Sequence, residues 1–466
     1  MSSPEPNIIV VMCDQLRAFE TGCYGNPIIR TPHIDRLAGE GVRFEYAVTN
    51  NPVCMPARSS LLSGQYSRSC IGTTGNITEP DENGRMHLPE YPSKHRRTML
   101  GPTLPEELNK LGYRTALIGK WHIDPAPETI GFEESLYPYV HHRHTGQTFI
   151  RGAEAAEETV AAFSVEFEAD QVERFLAKPH DRPFFLYYNI SPPHMPLDDA
   201  PEDYKSMYSP ESVPLRPNVY DEEGKPAYDE EWFKIYLWDF LYYQHRMPHT
   251  AELPEGFDLN KLTALYYGLT TWVDDTVGKL MDALKRHGHS ERTIVVFLSD
   301  HGDNLGSHGH FNKSQLYDES IRIPLVFHSP AYWDPRINGQ QVAQIIDIMP
   351  TLLDIAGGII PDGVQGRSLK PILDGTCDVV ASSEAYVETD SRLVGIRTAH
   401  HLYGVRLSDD FRSVEDDRAF FFDLRRDPYE MNNLAGTEEQ PEVAAELRSK
   451  VLEWIRVTPW LNSDAL

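Results

Sequence analysis

Residues 8–15 of the chain read IIVVMCDQ, six consecutive apolar side chains followed directly by a carboxylate and an amide. A continuous apolar run, rather than an alternating one, is typical of a strand whose two faces are both covered by helices. Such strands belong to α/β folds, which bind their ligands beyond the carboxyl ends of the strands. Because Asp14 and Gln15 stand at that end, the run predicts both the fold class and the place of the site.

Further apolar runs repeat this pattern and alternate with helical segments along the first two thirds of the chain. The predicted strands are Ile8–Cys13, Thr115–Ile118, Phe184–Ile190, Ile294–Ser299 and Pro324–His328. The predicted helices are Leu104–Leu111, Glu154–Leu176, Leu259–His287 and Val342–Ala356. This alternation predicts an α/β fold with a large, mostly parallel or mixed central sheet flanked by helices.

After Gly366 the alternation of strands and helices gives way to a series of short strands. Short runs predict antiparallel strands at Ala385–Glu388, Val394–Arg397, Leu402–Leu407 and Ala419–Leu424, followed by a helix at Pro441–Arg456. We therefore expect a catalytic α/β domain at residues 1–365 and a small α+β C-terminal subdomain, an antiparallel sheet plus a helix, at residues 366–466. An irregular, aromatic-rich insert at about residues 191–256 is either a surface decoration or a rim over the site.

The composition excludes several classes of function. The 466 residues include 43 Lys and Arg against 70 Asp and Glu, a net charge of -27, so no basic face for nucleic acid or an anionic membrane is expected. No apolar stretch approaches the ~18 residues of a membrane span. Because the N-terminus lacks a basic signal region, we expect a cytoplasmic protein, or a periplasmic one if a leader was removed. The five scattered cysteines indicate neither a disulfide framework nor a paired zinc site.

A second polar pair follows another predicted strand. Asp300 and His301 come directly after Ile294–Ser299, as Asp14 and Gln15 follow the first strand. A single aspartate at such a place is readily explained as a helix cap or turn residue. Two such pairs at the carboxyl ends of two strands instead favour a cation site, with oxygen ligands that suit Ca²⁺ or Mg²⁺ and a histidine that leaves room for Mn²⁺.

The segment NPVCMPARSSLLSG at residues 51–64 places a cysteine at the start of a predicted helix. A helix N-terminus offers unpaired N–H groups and a positive dipole end, both suited to an anion. Pro56 fits the first helical turn, where its missing N–H costs little. Arg58 can turn back toward Cys54. The alternative is a buried structural cysteine.

Four further cationic or imidazole side chains follow predicted strands or the second polar pair. Lys120 and His122 lie in GKWH at residues 119–122, His194 follows Phe184–Ile190, and Lys313 follows the Asp300 loop. One such residue in a loop is usually just solvated. The set indicates convergence on one site.

Taken in order, these blocks resemble the formylglycine-dependent sulfatases of the alkaline phosphatase superfamily over nearly the whole chain. The matching blocks are Asp14, Cys54-x-Pro56-x-Arg58, GKWH at 119–122, Pro-His-x-Pro around His194, SDHGD at 299–303, Lys313, YDESIRIPL at 317–325, and the segment 422–435. Many members carry Asp where this chain has Gln15 and Asn where it has His301. Both replacements also occur in the superfamily, including among phosphonate and phosphodiester hydrolases.

The resemblance implies a nucleophile that is made after synthesis. A formylglycine-generating maturation enzyme would oxidise Cys54 to an aldehyde, whose hydrate attacks sulfur beside a divalent metal, Ca²⁺ or alternatively Mg²⁺ or Mn²⁺. The implied metal ligands are Asp14, Gln15, Asp300, His301 and the modified Cys54. The implied sulfate-binding residues are Arg58, Lys120 and Lys313. His194 would protonate the leaving group with Lys313 nearby, and His122 would take the proton that lets the covalent sulfate ester collapse.

These implications give one leading hypothesis and two alternatives. The leading one is hydrolysis of sulfate monoesters, either aryl sulfates or carbohydrate sulfates, with a small-molecule or oligosaccharide sulfate ester as the partner. The alternatives are a phosphonate monoester or phosphodiester hydrolase on the same scaffold, and an unmodified, inactive protein that binds a sulfated ligand. The leaving group is expected to contact the loops at Gly72–Asn76 and His141–His144 and the aromatic insert, although His141–His144 is also explained as an exposed polar loop.

Overall fold

A ten-stranded mixed sheet forms the centre of the protein. The computed structural model describes residues 5–76, 79–80, 86–87, 99, 101–123, 126–139, 143–154, 156–228, 233, 257–411 and 413–461. With strands numbered in chain order, the sheet runs β12 (Arg336–Gln344), β2 (Val42–Val48), β11 (Leu325–His328), β10 (Thr293–Ser299), β1 (Asn7–Asp14), β9 (Phe184–Pro193), β5 (Arg114–Gly119), β6 (Glu134–Pro138), β7 (Gln147–Arg151) and β8 (Ala156–Val160). A separate two-stranded ribbon pairs β3 (Glu79–Pro80) with β4 (Met86–His87).

Helices cover both faces of this sheet. Those of the described residues are α1 (Pro32–Glu40), α2 (Cys54–Ser63), α3 (Ser67–Cys70), α4 (Leu104–Lys110), α5 (Ser164–Ala177), α6 (Glu202–Lys205), α7 (Leu259–Arg286), α8 (Asp318–Ile321), α9 (Ile348–Ile355), α10 (Lys370–Leu373) and α11 (Pro441–Val457). In β1, Val10 packs in the apolar cluster that contains α2 and α9, while its neighbour Val11 packs in the cluster that contains α1, α5 and α7. This burial on both faces explains the continuous apolar run and confirms the predicted α/β fold.

The four strands β10, β1, β9 and β5 are adjacent and parallel. Cys13 is in register with Ser299, and Gly119 is in register with Asn189. The carboxyl ends of these strands therefore lie along one edge of the sheet. The residues that follow them, among them Asp300, Lys120 and His194, are brought together by this topology.

Two of the predicted helices are partly wrong. In Glu154–Leu176, the residues of β8 instead pair antiparallel with β7, and the helix begins only at Ser164. In Val342–Ala356, the first residues complete β12 by pairing with β2, and the helix begins at Ile348. In both places pairing with a neighbouring strand outweighs the local helix preference of the sequence.

The C-terminal part of the chain forms a separate four-stranded antiparallel sheet. The four predicted antiparallel strands are present, in the order β13 (Glu384–Glu388), β14 (Leu393–Thr398), β15 (His401–Leu407) and β16 (Val414–Asp423), and α11 packs on β14 and β15. Buried ion pairs join this part to the rest, since Arg397 Nε lies 2.8 Å from Asp318 Oδ1 and Arg68 Nε lies 2.6 Å from Glu388 Oε2. The domain boundary between residues 365 and 366 stays a prediction.

Two expectations from composition can be compared with the structure. Among the described residues, no helix has both the length and the apolar character that crossing a membrane requires. All five cysteines are described, and none forms a disulfide. Of the aromatic insert, residues 229–232 and 234–256 lie outside the described residues.

Candidate active site

The helix α2 presents Cys54 at the carboxyl edge of the sheet. Cys54 is its first residue, and the preceding Val53 is extended. The amide of Met55 in the first turn donates to Asn76 Oδ1 at 3.0 Å. Every residue of α2 is buried, and Gly64 ends the helix in a left-handed conformation. The sequence thus places the start of a buried helix, with its positive end, beside position 54.

Cys54 lies at the centre of the predicted site residues. Its Sγ is 3.0 Å from Lys313 Nζ, 3.2 Å from His301 Nε2, 3.8 Å from Asp14 Oδ1 and 3.9 Å from Lys120 Nζ. All of these groups except Lys313 are fully or almost fully buried. A side chain at position 54 is therefore surrounded by cations and by metal-ligand types at contact distance.

Both predicted proton-transfer histidines also contact this cysteine. His122 and His194 each hydrogen-bond to the Cys54 side chain. The Nδ1 of His194 lies 2.6 Å from the carbonyl oxygen of Met195, so Nδ1 carries the proton and Nε2 faces Lys313 Nζ at 3.2 Å. His194 and Lys313 thus form a coupled pair beside position 54.

Gly119 explains how Lys120 enters the site. Its φ is +97°, and a Cβ there would lie 1.9 Å from the carbonyl oxygen of Asn189 on the neighbouring strand. The amide of Lys120 then donates to that oxygen at 3.1 Å. The Lys120 ammonium forms an ion pair with Asp14 Oδ2. A glycine at this turn is required because any side chain would displace β9.

Arg58 holds the two aspartates together. Its Nη2 lies 2.9 Å from Asp14 Oδ2 and 2.9 Å from Asp300 Oδ2, with all three side chains completely buried. The other oxygens, Oδ1 of each aspartate, lie 3.6 and 3.7 Å from His301 Nε2. Each carboxylate therefore binds Arg58 with one oxygen and directs the other toward His301.

These donors fit a divalent cation. Ligand atoms of Asp14, Cys54, Asp300 and His301 all lie within 4.8 Å of one another. His301 Nδ1 lies 2.9 Å from the carbonyl oxygen of Gly302, so Nδ1 carries the proton and the Nε2 lone pair faces the site, as metal-binding histidines require. Gln15 Oε1 faces the same space, 3.2 Å from Lys313 Nζ. The predicted ligand set is therefore assembled around one buried point.

The electrostatics of the site favour an anion at position 54. Burial raises the pKa of the Cys54 thiol, but the positive charges of Lys120 and Lys313 outweigh it and hold that pKa well below its ordinary value. Burial, reinforced by Lys313, lowers the pKa of His194 to about 4. His194 is therefore neutral at pH 7, and Lys313, which is protonated at that pH, lies next to it.

Comparisons with known proteins agree with this geometry. The profile of the family described as Sulfatase matches residues 6–359. The chain belongs to the sulfatase family. A second profile, described as N-sulphoglucosamine sulphohydrolase, C-terminal, matches residues 306–456.

Individual relatives span almost all of this sulfatase. It is 31% identical to the ulvan-active sulfatase of Formosa agariphila, over 96% of this chain and 81% of that protein. It is 27% identical to the N-acetylglucosamine-6-O-sulfatase of Bacteroides thetaiotaomicron, over 95% of this chain and 85% of that protein. The crystal structure of the putative sulfatase yidJ from Bacteroides fragilis superposes with a TM-score of 0.77 at 26% identity, covering 98% and 97% of the two chains. The protein is a sulfuric ester hydrolase.

Sequence reasoning missed two residues that fix Gln15. The Gln15 Nε2 donates to Asp303 Oδ2, and Tyr266 Oη donates to the Gln15 carbonyl oxygen at 2.6 Å. Asp303 is the last residue of the SDHGD block, and this place in a matching block could have marked it as a site residue. Tyr266 lies in the middle of α7, where no local pattern distinguishes it.

The loops expected to contact the leaving group are described in part. His141 and His142 lie outside the described residues, whereas His144 is buried against Trp272 and does not belong to an exposed loop. In the insert, Phe233 stacks on Phe311 with ring centroids 5.0 Å apart, two residues before Lys313. The insert thus reaches the loop that carries a site lysine, as a rim would.

Proposed function

We propose that this sulfatase removes sulfate from carbohydrate sulfate esters, using formylglycine at position 54 and Ca²⁺ held by Asp14, Gln15, Asp300 and His301. The observation that carries the proposal is the convergence of cations, acids and imidazoles on one buried cysteine side chain. The carbohydrate substrate is supported by the relatives named for ulvan and for N-acetylglucosamine 6-sulfate. Two carboxylates and an amide oxygen support Ca²⁺ over softer metals.

The two implied groups supply the nucleophile and its activation. A hydrated aldehyde at position 54 would supply an attacking oxygen and a second hydroxyl, and a cation held by Asp14, Gln15, Asp300 and His301 would lower the pKa of that oxygen. A formylglycine-generating enzyme is the partner that this proposal requires. Sulfate binding and proton transfer are performed by side chains that the structure describes.

Lys120 and Lys313 bind the oxygens of the sulfate. Their ammonium groups lie 3.9 and 3.0 Å from Cys54 Sγ. A sulfate ester carries its negative charge on the nonbridging oxygens, and these two cations are placed to bind them. Arg58 keeps the two aspartates in place and adds a buried positive charge. Because the groups are buried and fixed before substrate arrives, they stabilise the transition state without reorganising.

His194 and Lys313 deliver a proton to the leaving oxygen. Since His194 is neutral at pH 7 and its Nε2 accepts from Lys313 Nζ, the lysine is the proton reservoir of the pair. His122, which hydrogen-bonds to the side chain at position 54, accepts the proton whose removal releases sulfate. Burial lowers the pKa of His122, so it is a neutral base at pH 7.

The proposal is tested by mass and by turnover of the same sample. The tryptic peptide that contains Cys54, from protein made in the native host, is expected to carry an aldehyde, which is lighter than the thiol. The same preparation is expected to desulfate 6-O-sulfated N-acetylglucosamine, and Cys54→Ala is expected to be inactive. A peptide that carries only thiol, in a preparation that still turns over, would refute the assigned nucleophile. Only thiol without turnover would favour the inactive ligand binder.

A second candidate function is hydrolysis of phosphonate monoesters or phosphodiesters. It is favoured by Gln15 and His301 at positions where many sulfatases carry Asp and Asn. Tetrahedral oxyanions of sulfur and phosphorus fit the same ring of cations. The kcat/KM for 4-nitrophenyl sulfate and for a phenylphosphonate monoester separates the two. A hundredfold preference for the phosphonate would establish the second candidate as the principal activity.

A further inference from the structure

Gln15 has an unusually well-fixed backbone. It lies at the end of β1 with φ +69°, in the left-handed region that a glutamine rarely adopts. Its N–H donates to Asp300 Oδ1 at 3.1 Å, and its carbonyl oxygen accepts from Tyr266 Oη at 2.6 Å. These contacts fix where the side chain starts, but they do not decide which end of its amide faces the cation site.

The orientation of the Gln15 amide follows from the chemistry of its two neighbours. Lys313 Nζ, 3.2 Å from Oε1, can only donate hydrogen bonds, so the atom that faces it must be the amide oxygen. Asp303 Oδ2 accepts from Nε2, so the amide nitrogen must face the carboxylate. Rotation of the amide by half a turn would place two donors together and two acceptors together.

Asp303 is held independently of Gln15. It is buried, with 1% of its surface exposed, and its Oδ1 accepts the N–H of Leu305 at 2.8 Å. Its position is therefore set by the loop that follows β10. That loop also carries Asp300 and His301, so one segment provides two ligand types and the group that orients a third.

We propose that Asp303 is a positioning residue that keeps the oxygen of Gln15, and not its NH₂ group, directed at the cation. The inference rests on the proposed function, because it assumes that a divalent cation binds beside Gln15. A cation is attracted to the amide oxygen and repelled by the partly positive NH₂ group. Partners that orient metal ligands commonly contribute about 10–100-fold to metal affinity.

The decisive variant is Asp303→Asn. The introduced asparagine keeps an oxygen for the N–H of Leu305, but its own NH₂ group can face Gln15 and lets the Gln15 amide reverse. We expect Ca²⁺ to bind about 10–100-fold more weakly to D303N than to the wild type, by calorimetric titration of chelator-treated protein. The readout is metal affinity and does not depend on maturation of Cys54.

Gln15→Glu supplies the matched background. A carboxylate offers an oxygen at both ends, so its orientation does not matter, and the amide introduced by D303N can donate to it. D303N is therefore expected to leave Ca²⁺ affinity within about threefold in the Q15E background, which gives a large coupling between the two positions. Should D303N not fold alone, which a thermal melt shows, the comparison of Q15E with Q15E/D303N carries the test.

The outcomes separate this inference from the proposed function. D303N binding Ca²⁺ as tightly as the wild type, or losing the same factor in both backgrounds, would show that Asp303 does not orient the amide. If adding D303N to Q15E lowers Ca²⁺ affinity about 10-fold or more, Asp303 likewise does not act by orienting the amide. Wild-type protein that binds no Ca²⁺ at all would instead overturn the calcium site itself, and this inference with it.

Discussion

Replacing Arg58 with methionine removes the charge that separates two buried aspartates. Its guanidinium lies 2.9 Å from both Asp14 Oδ2 and Asp300 Oδ2, and none of the three side chains is exposed. Methionine has nearly the same length and fills most of the space. The substitution therefore tests the charge of Arg58 more than its volume.

The expected loss follows from the burial of these charges. Removing one partner of a buried ion pair costs about 3–5 kcal/mol, because an uncompensated charge remains in a medium that solvates it poorly. The unfolding entropy of a chain of this length is about 1 kcal/mol per kelvin. In the absence of divalent metal, Arg58→Met should therefore lower Tm by about 3–5 °C. Saturating Ca²⁺ should reduce this difference, since a bound cation compensates the same carboxylates.

Differential scanning calorimetry, with and without Ca²⁺, measures both effects. Arg456→Met is the matched control, because Arg456 pairs with Glu453 on the exposed side of α11 and its loss should leave Tm nearly unchanged. Equal Tm values for R58M and R456M in metal-free buffer would refute a stabilising role for the Arg58 charge. A gap between R58M and wild type that Ca²⁺ leaves unchanged would show that the cation does not bind at these aspartates.

Three further predictions concern His194 and the cation. His194→Asn should lower kcat/KM about 10²–10⁴-fold for a carbohydrate sulfate but less than about tenfold for 4-nitrophenyl sulfate, whose leaving group needs no proton; equal losses on both substrates would exclude proton donation. Because the folded pKa of His194 is about 4, below an unfolded value of about 6.5, the unfolded chain binds more protons between these values, and stability should fall as pH falls through that window. Urea melts should show a smaller fall in His194→Asn, and an identical pH dependence would contradict the assignment. Chelation with EDTA should end turnover, and Ca²⁺ should restore it better than Mg²⁺ or Mn²⁺; full activity after chelation, verified by metal analysis, would rule out a metal-dependent site.

The central sheet and most of the site residues could be predicted because they are encoded locally. An apolar run such as Ile8–Cys13 specifies a strand covered on both faces, and parallel strands bring the residues after them to one edge. Asp14 and Asp300 could therefore be placed together from sequence, and the structure places them on either side of Arg58. The strand order itself was not predictable, since neighbours such as β11 and β2 are far apart in the chain.

The edge of the sheet and the support of Gln15 depend on contacts that no local pattern encodes. Strand β8, with the sequence AEETV, is largely exposed and follows further Ala and Glu residues, so the local sequence favours a helix, and pairing with β7 makes it a strand. Tyr266 is one of many buried residues of α7, and only the return of that helix to β1 shows that its hydroxyl group holds Gln15.

The complete burial of α2 limits when Cys54 can be modified. A separate enzyme can reach Cys54 only while this helix is unpacked, because afterwards every residue of α2 is enclosed. Under the proposed function, oxidation of Cys54 and folding therefore compete for the same chain, and a molecule that folds first keeps its thiol. The active fraction of a preparation then reports a ratio of two rates, and two samples with identical folds and identical melting curves can differ widely in activity.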